Sequence, residues 1–256
     1  MKIDKYQYGV QYGPVLDLQE FQHYDGRRVE TIKQEFYKGK TVEKIEDVEK
    51  LFFENPNIPV NKRWVAHSAM VHYLAECIAE FMTMGRQESM DLRYAALLHD
   101  VGKILCYDPK ALNRRGGLTS EESDAMLFHP EVGVEILKRL NEGDRLGINE
   151  AILAGVGDHH ELYDGSGYPR GAVGKKISKP GRILAILDSV DACCGDRPYK
   201  KAPLSPAQIA QDIEANSGIK YDPDFCDAFL EMIRKDGKAF DAINTNNPVR
   251  SLFSFD

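Results

Sequence analysis

Five of the seven histidines fall in a pattern: His67, His99 beside Asp100, His129, and the adjacent pair His159-His160, with Asp188 further along. A lone histidine is most often a satisfied structural group, so the weight lies on the set. The His-Asp and His-His pairs each place two ligand-type donors at one helix end. Their spacing lets separate helices deliver them to a single bundle interior. Imidazoles combined with carboxylates make a mixed nitrogen and oxygen set. That set suits divalent transition metals and is large enough for two ions sharing one aspartate.

Positioning such a set needs helices, and the chain beyond Asn61 reads as helical almost throughout. Trp64, Val65, Met70, Val71, Leu74 and Ile78 mark the apolar stripe of one long helix. Leu92 and Ala96 to Leu98 mark a second. Thr119-Ser120-Glu121-Glu122 is a capping box opening a third. Val132, Ile136, Leu137 and Leu140 give another helix, Ile148 to Val156 another, and Ile183 to Val190 a further one. Ser205-Pro206 opens the next, with proline at its first position. The start of the chain differs. Tyr6, Tyr8, Val10 and Tyr12 alternate as in a strand, and a short helix is expected from about Thr41 to Phe53. Asn55 to Pro59 reads as a linker. Residues 1–57 therefore form a small mixed appendage, and residues 58–256 the helical domain.

Composition narrows the class. The chain has 256 residues, 43% hydrophobic and 29% charged, enough for a sizeable core. Lys and Arg total 33 and Asp and Glu total 40, a net charge of −7. A net acidic chain is a poor non-specific partner for a nucleic-acid polymer or an anionic membrane. No apolar run has the length of a membrane span, and the first ten residues hold no signal-peptide core. The five cysteines, Cys77, Cys106, Cys193, Cys194 and Cys226, show no C-x-x-C spacing and read as reduced, mostly buried thiols. A cytoplasmic protein is the expectation.

The longest signature runs from His159-His160-Glu161 through Asp164-Gly165-Ser166-Gly167-Tyr168-Pro169. With Leu97-Leu98-His99-Asp100-Val101-Gly102-Lys103-Ile104, it resembles the HD-GYP family of cyclic-dinucleotide phosphodiesterases. Two further segments fit the same order: Leu112 to His129-Pro130-Glu131, and Asp188-Ser189-Val190-Asp191 leading to Arg197-Pro198-Tyr199-Lys200. The resemblance covers about residues 60 to 245. It implies an all-α, HD-superfamily helical bundle carrying the small α+β appendage.

The resemblance also implies roles. His67, His99, Asp100 and Asp188 are the expected ligands of a first metal, with Asp100 bridging. His129, His159 and His160 are the expected ligands of a second. Asp191 would support Asp188, the alternative being an acceptor turned away from the metals. The ions are expected to be Fe or Mn, with Ni and Zn also able to bind such a set. Asp100 and Lys103 are the expected catalytic pair, Lys103 also holding substrate phosphate. Arg114, Arg197 and Lys200 are expected phosphate contacts, since Arg offers a bidentate fork. Gly167, Tyr168 and Pro169 are expected to shape the pocket wall. The implied reaction is hydrolysis of a 3′–5′ phosphodiester of cyclic di-GMP by a metal-bridging hydroxide. Another cyclic dinucleotide such as cyclic GMP-AMP, or a weakly catalytic receptor for one, stays open, as does a homodimer or a signalling partner acting through residues 1–57.

Other residues carry plainer readings. His72, five residues after His67, is packing or surface, and His23 matches nothing. Trp64 and the Cys193-Cys194 pair read as core, and the acidic run Glu43 to Glu49 as a solvated helix face. Some members of the family resemble a three-metal version, with a Glu four residues before the first His. Here that position is Arg63, whose guanidinium has no lone pair to give, so two metals are expected.

Overall fold

The computed structural model describes residue 34 and residues 62–106, 119–144, 146–194 and 203–243. The expected N-terminal strand and helix, the linker, His23, Arg114, Arg197 and Lys200 lie outside the described residues, as does the side chain of Arg63.

Ten α-helices are described: α1 (Lys62–Phe81), α2 (Arg86–Leu98), α3 (Lys103–Cys106), α4 (Ser120–Met126), α5 (His129–Leu140), α6 (Glu150–Asp158), α7 (Lys179–Cys194), α8 (Pro206–Ala215), α9 (Pro223–Lys235) and α10 (Gly237–Ile243). Among the described residues no strand forms beyond one isolated bridge between Ser217 and Tyr221. The all-α expectation therefore holds over this part of the chain. α1 packs on α2 and α7, α6 packs on α2, α5 and α7, and α9 and α10 close against α1.

The core follows from the stripes. Met70, Val71, Leu74 and Ile78 of α1 meet Leu92, Ala95, Ala96 and Leu98 of α2 and Ile183, Leu184 and Leu187 of α7, all buried. Each of the larger ones, Met, Val, Leu or Ile, contributes about 1.5–3 kcal/mol on burial. Trp64 is buried with them, as are four of the five cysteines. The fifth, Cys193, is half-buried, and none of the five is in a disulfide.

Caps fix where helices begin. Thr119 forms the expected capping box with Glu122, and Ser205 forms another with Gln208. α6 starts two residues later than the apolar pattern suggests, because Asn149 turns its side chain to accept from Ala151 and Ile152 N–H. The helix α9 was not singled out by the sequence reading. Its Asp222 cap, Pro223, and Phe225, Cys226, Phe229, Leu230 and Ile233 on one buried face are the signal.

Between α2 and α3 the chain makes a tight turn of i to i+3 bonds, with Val101 N–H to Leu98 and Lys103 N–H to Asp100. Gly102 lets this turn press on the start of α5. A Cβ there would lie 1.9 Å from the His129 carbonyl oxygen and 2.5 Å from Gly133 N. Both obstacles are backbone, so Gly102→Ala must push α5 away from the His99-Asp100 turn. We expect a loss of about 2–3 kcal/mol, a fall in Tm of roughly 4–12 °C for a domain of this size. Thermal denaturation checks it, and a Tm within about 1 °C of wild type would contradict the packing described.

Candidate metal centre

Three helices end at one place and deliver three imidazoles in the same way. His99 follows the last residue of α2, and its Nδ1 lies 2.7 Å from the Ala96 carbonyl. His159 follows α6, with Nδ1 2.7 Å from the Val156 carbonyl. His129 stands just beyond α4, with Nδ1 2.6 Å from the Met126 carbonyl. A carbonyl only accepts, so each Nδ1 carries the proton and donates it. The last carbonyls of a helix lack intrahelical partners, and the ring supplies one. In each neutral ring the Nε2 lone pair is then left facing the interior. His67, from the middle of α1, is held instead by Asp191 of α7, whose Oδ2 accepts from Nδ1 at 2.7 Å. That contact orients the ring, so Asp191 is not turned away from the cluster.

The lone pairs converge. His67 Nε2 is 3.1 Å from His99 Nε2, and His129 Nε2 is 3.0 Å from His159 Nε2. Asp100 lies between the two pairs. Its Oδ2 is 3.6 Å from His67 and 3.5 Å from His99, and its Oδ1 is 3.3 Å from His129 and 3.8 Å from His159. Asp188 Oδ1 adds a carboxylate 3.1 Å from His67 Nε2. Two groups that could hold metal ions result: His67, His99 and Asp100, and Asp100, His129, His159 and His160. All seven of the histidines and aspartates expected as ligands thus come together, Asp188 through His67.

These residues suit divalent cations. Bare ring nitrogens cannot face each other at about 3 Å without a positive charge between them. Asp100 Oδ1 is buried with no hydrogen-bond partner, an atom that costs free energy unless a cation satisfies it. α2, α4 and α6 each end close to the histidine they hold, and His129 also opens α5.

Charge states agree. Burial would raise Asp100 and Asp188, yet neighbouring imidazoles, and Lys103 for Asp100, hold both carboxyls well below the usual range. Burial pushes His99 and His159 down, and His160 down to about 3, so these rings stay neutral. Burial would lower His67 as well, but hydrogen bonds to Asp188 and Asp191 outweigh it and raise the ring to about 9. A proton thus supplies the positive charge between His67 and His99 until a cation replaces it.

Lys103 does not continue α2. It opens α3 after the turn, and its ammonium lies 2.5 Å from Asp100 Oδ2 at the edge of the cluster. Tyr168 stacks on His160 with ring centroids 4.8 Å apart, and Gly167 presses on the backbone of His160 to Leu162. His72 stays outside, its Nδ1 2.9 Å from the Arg93 carbonyl. Asp158 and Glu161, to which the sequence pattern gives no role, are buried carboxylates flanking the His pair. Asp158 accepts from Ser178 N–H and from the Arg170 guanidinium, and Glu161 from Arg170 and Ala172 N–H.

The helical bundle gathers imidazoles and carboxylates around one buried aspartate into groups that could hold metal ions. The chain belongs to the HD domain family, whose model matches residues 53–225, over half of the sequence. A cyclic di-GMP phosphodiesterase of Thermotoga maritima is 40% identical over 167 residues, 65% of this chain and 44% of that protein. A 3′3′-cGAMP-specific phosphodiesterase of Vibrio cholerae is 36% identical over 166 residues, 65% of this chain and 31% of that protein. The chain thus spans less than half the length of these curated relatives. A crystal structure of a cyclic GMP-AMP specific phosphodiesterase of Vibrio cholerae shares the fold at a TM-score of 0.53 and 15% identity, over 75% of this chain and 51% of that one. Among the described residues no helix is long and apolar enough to cross a membrane.

The raised His67 sets a pH dependence. A cation entering the His67–His99 group must displace a proton held to about pH 9. Below that pH its apparent affinity should rise about tenfold per pH unit and level off above, because the other ligands are already in their ligating forms. Anaerobic Mn(II) titration between about pH 7 and 9 measures this. Affinity independent of pH would show that no proton is displaced from His67.

Proposed function

We propose that the protein is a phosphodiesterase that hydrolyses a 3′–5′ phosphodiester of cyclic di-GMP, with two divalent cations held by His67, His99, Asp100, His129, His159, His160 and Asp188. The observation that carries this reading is Asp100, buried between two sets of ring nitrogens with one oxygen toward each. The names of the relatives support the substrate class. A His-rich mixed donor set favours Fe or Mn. Bound there, two cations supply Lewis acidity toward a phosphoryl oxygen and lower the pKa of water enough for attack near neutral pH.

The chain's own residues do the rest. Asp100 ties the two groups into one centre, so a change at one reaches the other. Asp191 fixes the ring plane of His67, as helix carbonyls fix His99, His129 and His159. Lys103, partly exposed beside Asp100, offers a positive charge where the two phosphate groups of the substrate would approach. Arg114, Arg197 and Lys200 supply further phosphate contacts, and Gly167, Tyr168 and Pro169 the wall next to His160. Residues 58–256 act as the catalytic domain and residues 1–57 as an appendage for a partner or a second copy. The reaction belongs in the cytoplasm, where such nucleotides are signals.

Two substitutions separate the roles. Asp100→Ala should lose most bound metal and more than about 10³-fold in turnover, since it removes the shared carboxylate. Lys103→Ala should keep its metal while kcat/KM falls about 10–10³-fold, the effect of one charged contact. Elemental analysis joined to product analysis with cyclic di-GMP and cyclic GMP-AMP checks both and ranks the two substrates. Wild-type turnover of every cyclic dinucleotide by Asp100→Ala would sink the reading. Loss of metal in Lys103→Ala would move Lys103 to a supporting role at the metal centre.

A further inference from the structure

Of the five clustered rings, four are oriented by a hydrogen bond at Nδ1: His99, His129 and His159 by helix carbonyls, and His67 by Asp191. His160 differs. Among the described residues none accepts a hydrogen bond from its ring. Its ring meets His159 at 4.2 Å and 41° and His129 at 4.9 Å and 84°, and its near-parallel contact is Tyr168, 4.8 Å away at an interplanar angle of 23°. An offset stack of this kind resists rotation of a ring that lacks a polar anchor.

Tyr168 can do this only if its loop is held. The loop leaves at Glu161 and returns over the same histidine. Tyr168 N–H donates to the His160 carbonyl at 3.1 Å. Gly167 sits so close that a Cβ would lie 2.2 Å from Leu162 N and 2.5 Å from the His160 carbonyl oxygen. Beyond Pro169, the buried Glu161 carboxylate takes Arg170 N–H at 2.7 Å and Ala172 N–H at 2.9 Å. Each carboxylate oxygen holds one amide, so the segment after the tyrosine is clamped beside the histidine. Asp158, on the other side of the pair, takes Ser178 N–H at 2.8 Å and the Arg170 guanidinium.

We infer that Glu161 and Tyr168 are a positioning pair for His160: Glu161 pins the loop, and the pinned Tyr168 ring sets the plane in which His160 presents its nitrogen to a cation. This rests on the reading that His160 holds a metal. Groups behind a metal ligand typically govern affinity by 10–100-fold, and here the group is an aromatic face in place of a hydrogen-bond acceptor.

Mn(II) titration of the full chain, followed by the electron paramagnetic resonance signal of free Mn(II), tests it without reference to turnover. Wild type should show two binding events. Glu161→Ala and Tyr168→Ala should each weaken one event by roughly 10–100-fold, the same event that His160→Ala weakens. The other event should stay within roughly twofold. Tyr168→Phe keeps the stacked ring and should bind like wild type. In a His160→Ala background neither substitution should add a further loss. The inference is overturned if Tyr168→Ala binds both ions like wild type, if both events weaken alike, or if the losses add in the His160→Ala background. Should Glu161→Ala not fold, the comparison of Tyr168→Ala with Tyr168→Phe decides. Wild-type binding of both ions by His160→Ala would show that the metal reading of His160 has failed, and the positioning role with it.

Discussion

The centre depends on one arrangement used three times: an imidazole just past a helix end, donating its Nδ1 proton to one of the last carbonyls of that helix. The bond satisfies a carbonyl that the helix leaves open, fixes the ring's tautomer, and aims Nε2 inward. Since His99, His129 and His159 all use it, the metal-facing nitrogens are placed by backbone rather than by flexible side chains. Their positions follow directly from where α2, α4 and α6 stop. Helix packing and ligand geometry are therefore a single constraint. Gly102 belongs to it, because it allows the His99-Asp100 turn to touch the start of α5.

The electrostatics follow from this convergence. The carboxylates of Asp100 and Asp188 favour positive charge at a point where bare nitrogens crowd together. The protein answers with a proton on His67 and the ammonium of Lys103, both against these carboxylates. Divalent cations bound there would satisfy the same demand more fully. Lys103 marks the boundary between the buried donors and solvent, which is where an anionic substrate would first meet the site.

Much of this was legible in the sequence. The His-Asp and His-His pairs are adjacent along the chain because each sits at a helix end, and the capping boxes at Thr119 and Ser205 appear as their residue types require. Less was legible where meaning depends on distance in space. Asp158 and Glu161 look like solvated acids or extra ligands in a string of letters, yet both turn to backbone amides of the segment that follows, between Arg170 and Ser178. Nothing local separates His159 from His160, although one leans on a carbonyl and the other on a tyrosine ring. The fold of α9 was carried by a face of apolar residues that only closes against α1 and α7. Asn149 moved the start of α6 because a cap outweighs the apolar pattern that precedes it.

The central claim is that two cations share Asp100. Anomalous diffraction from crystals of the anaerobically purified full chain tests it most directly. The account predicts two ions per chain, about 3.5–4 Å apart as in other two-metal sites, with one oxygen of Asp100 on each. A single ion, a third ion, or two ions that do not share Asp100 would contradict it.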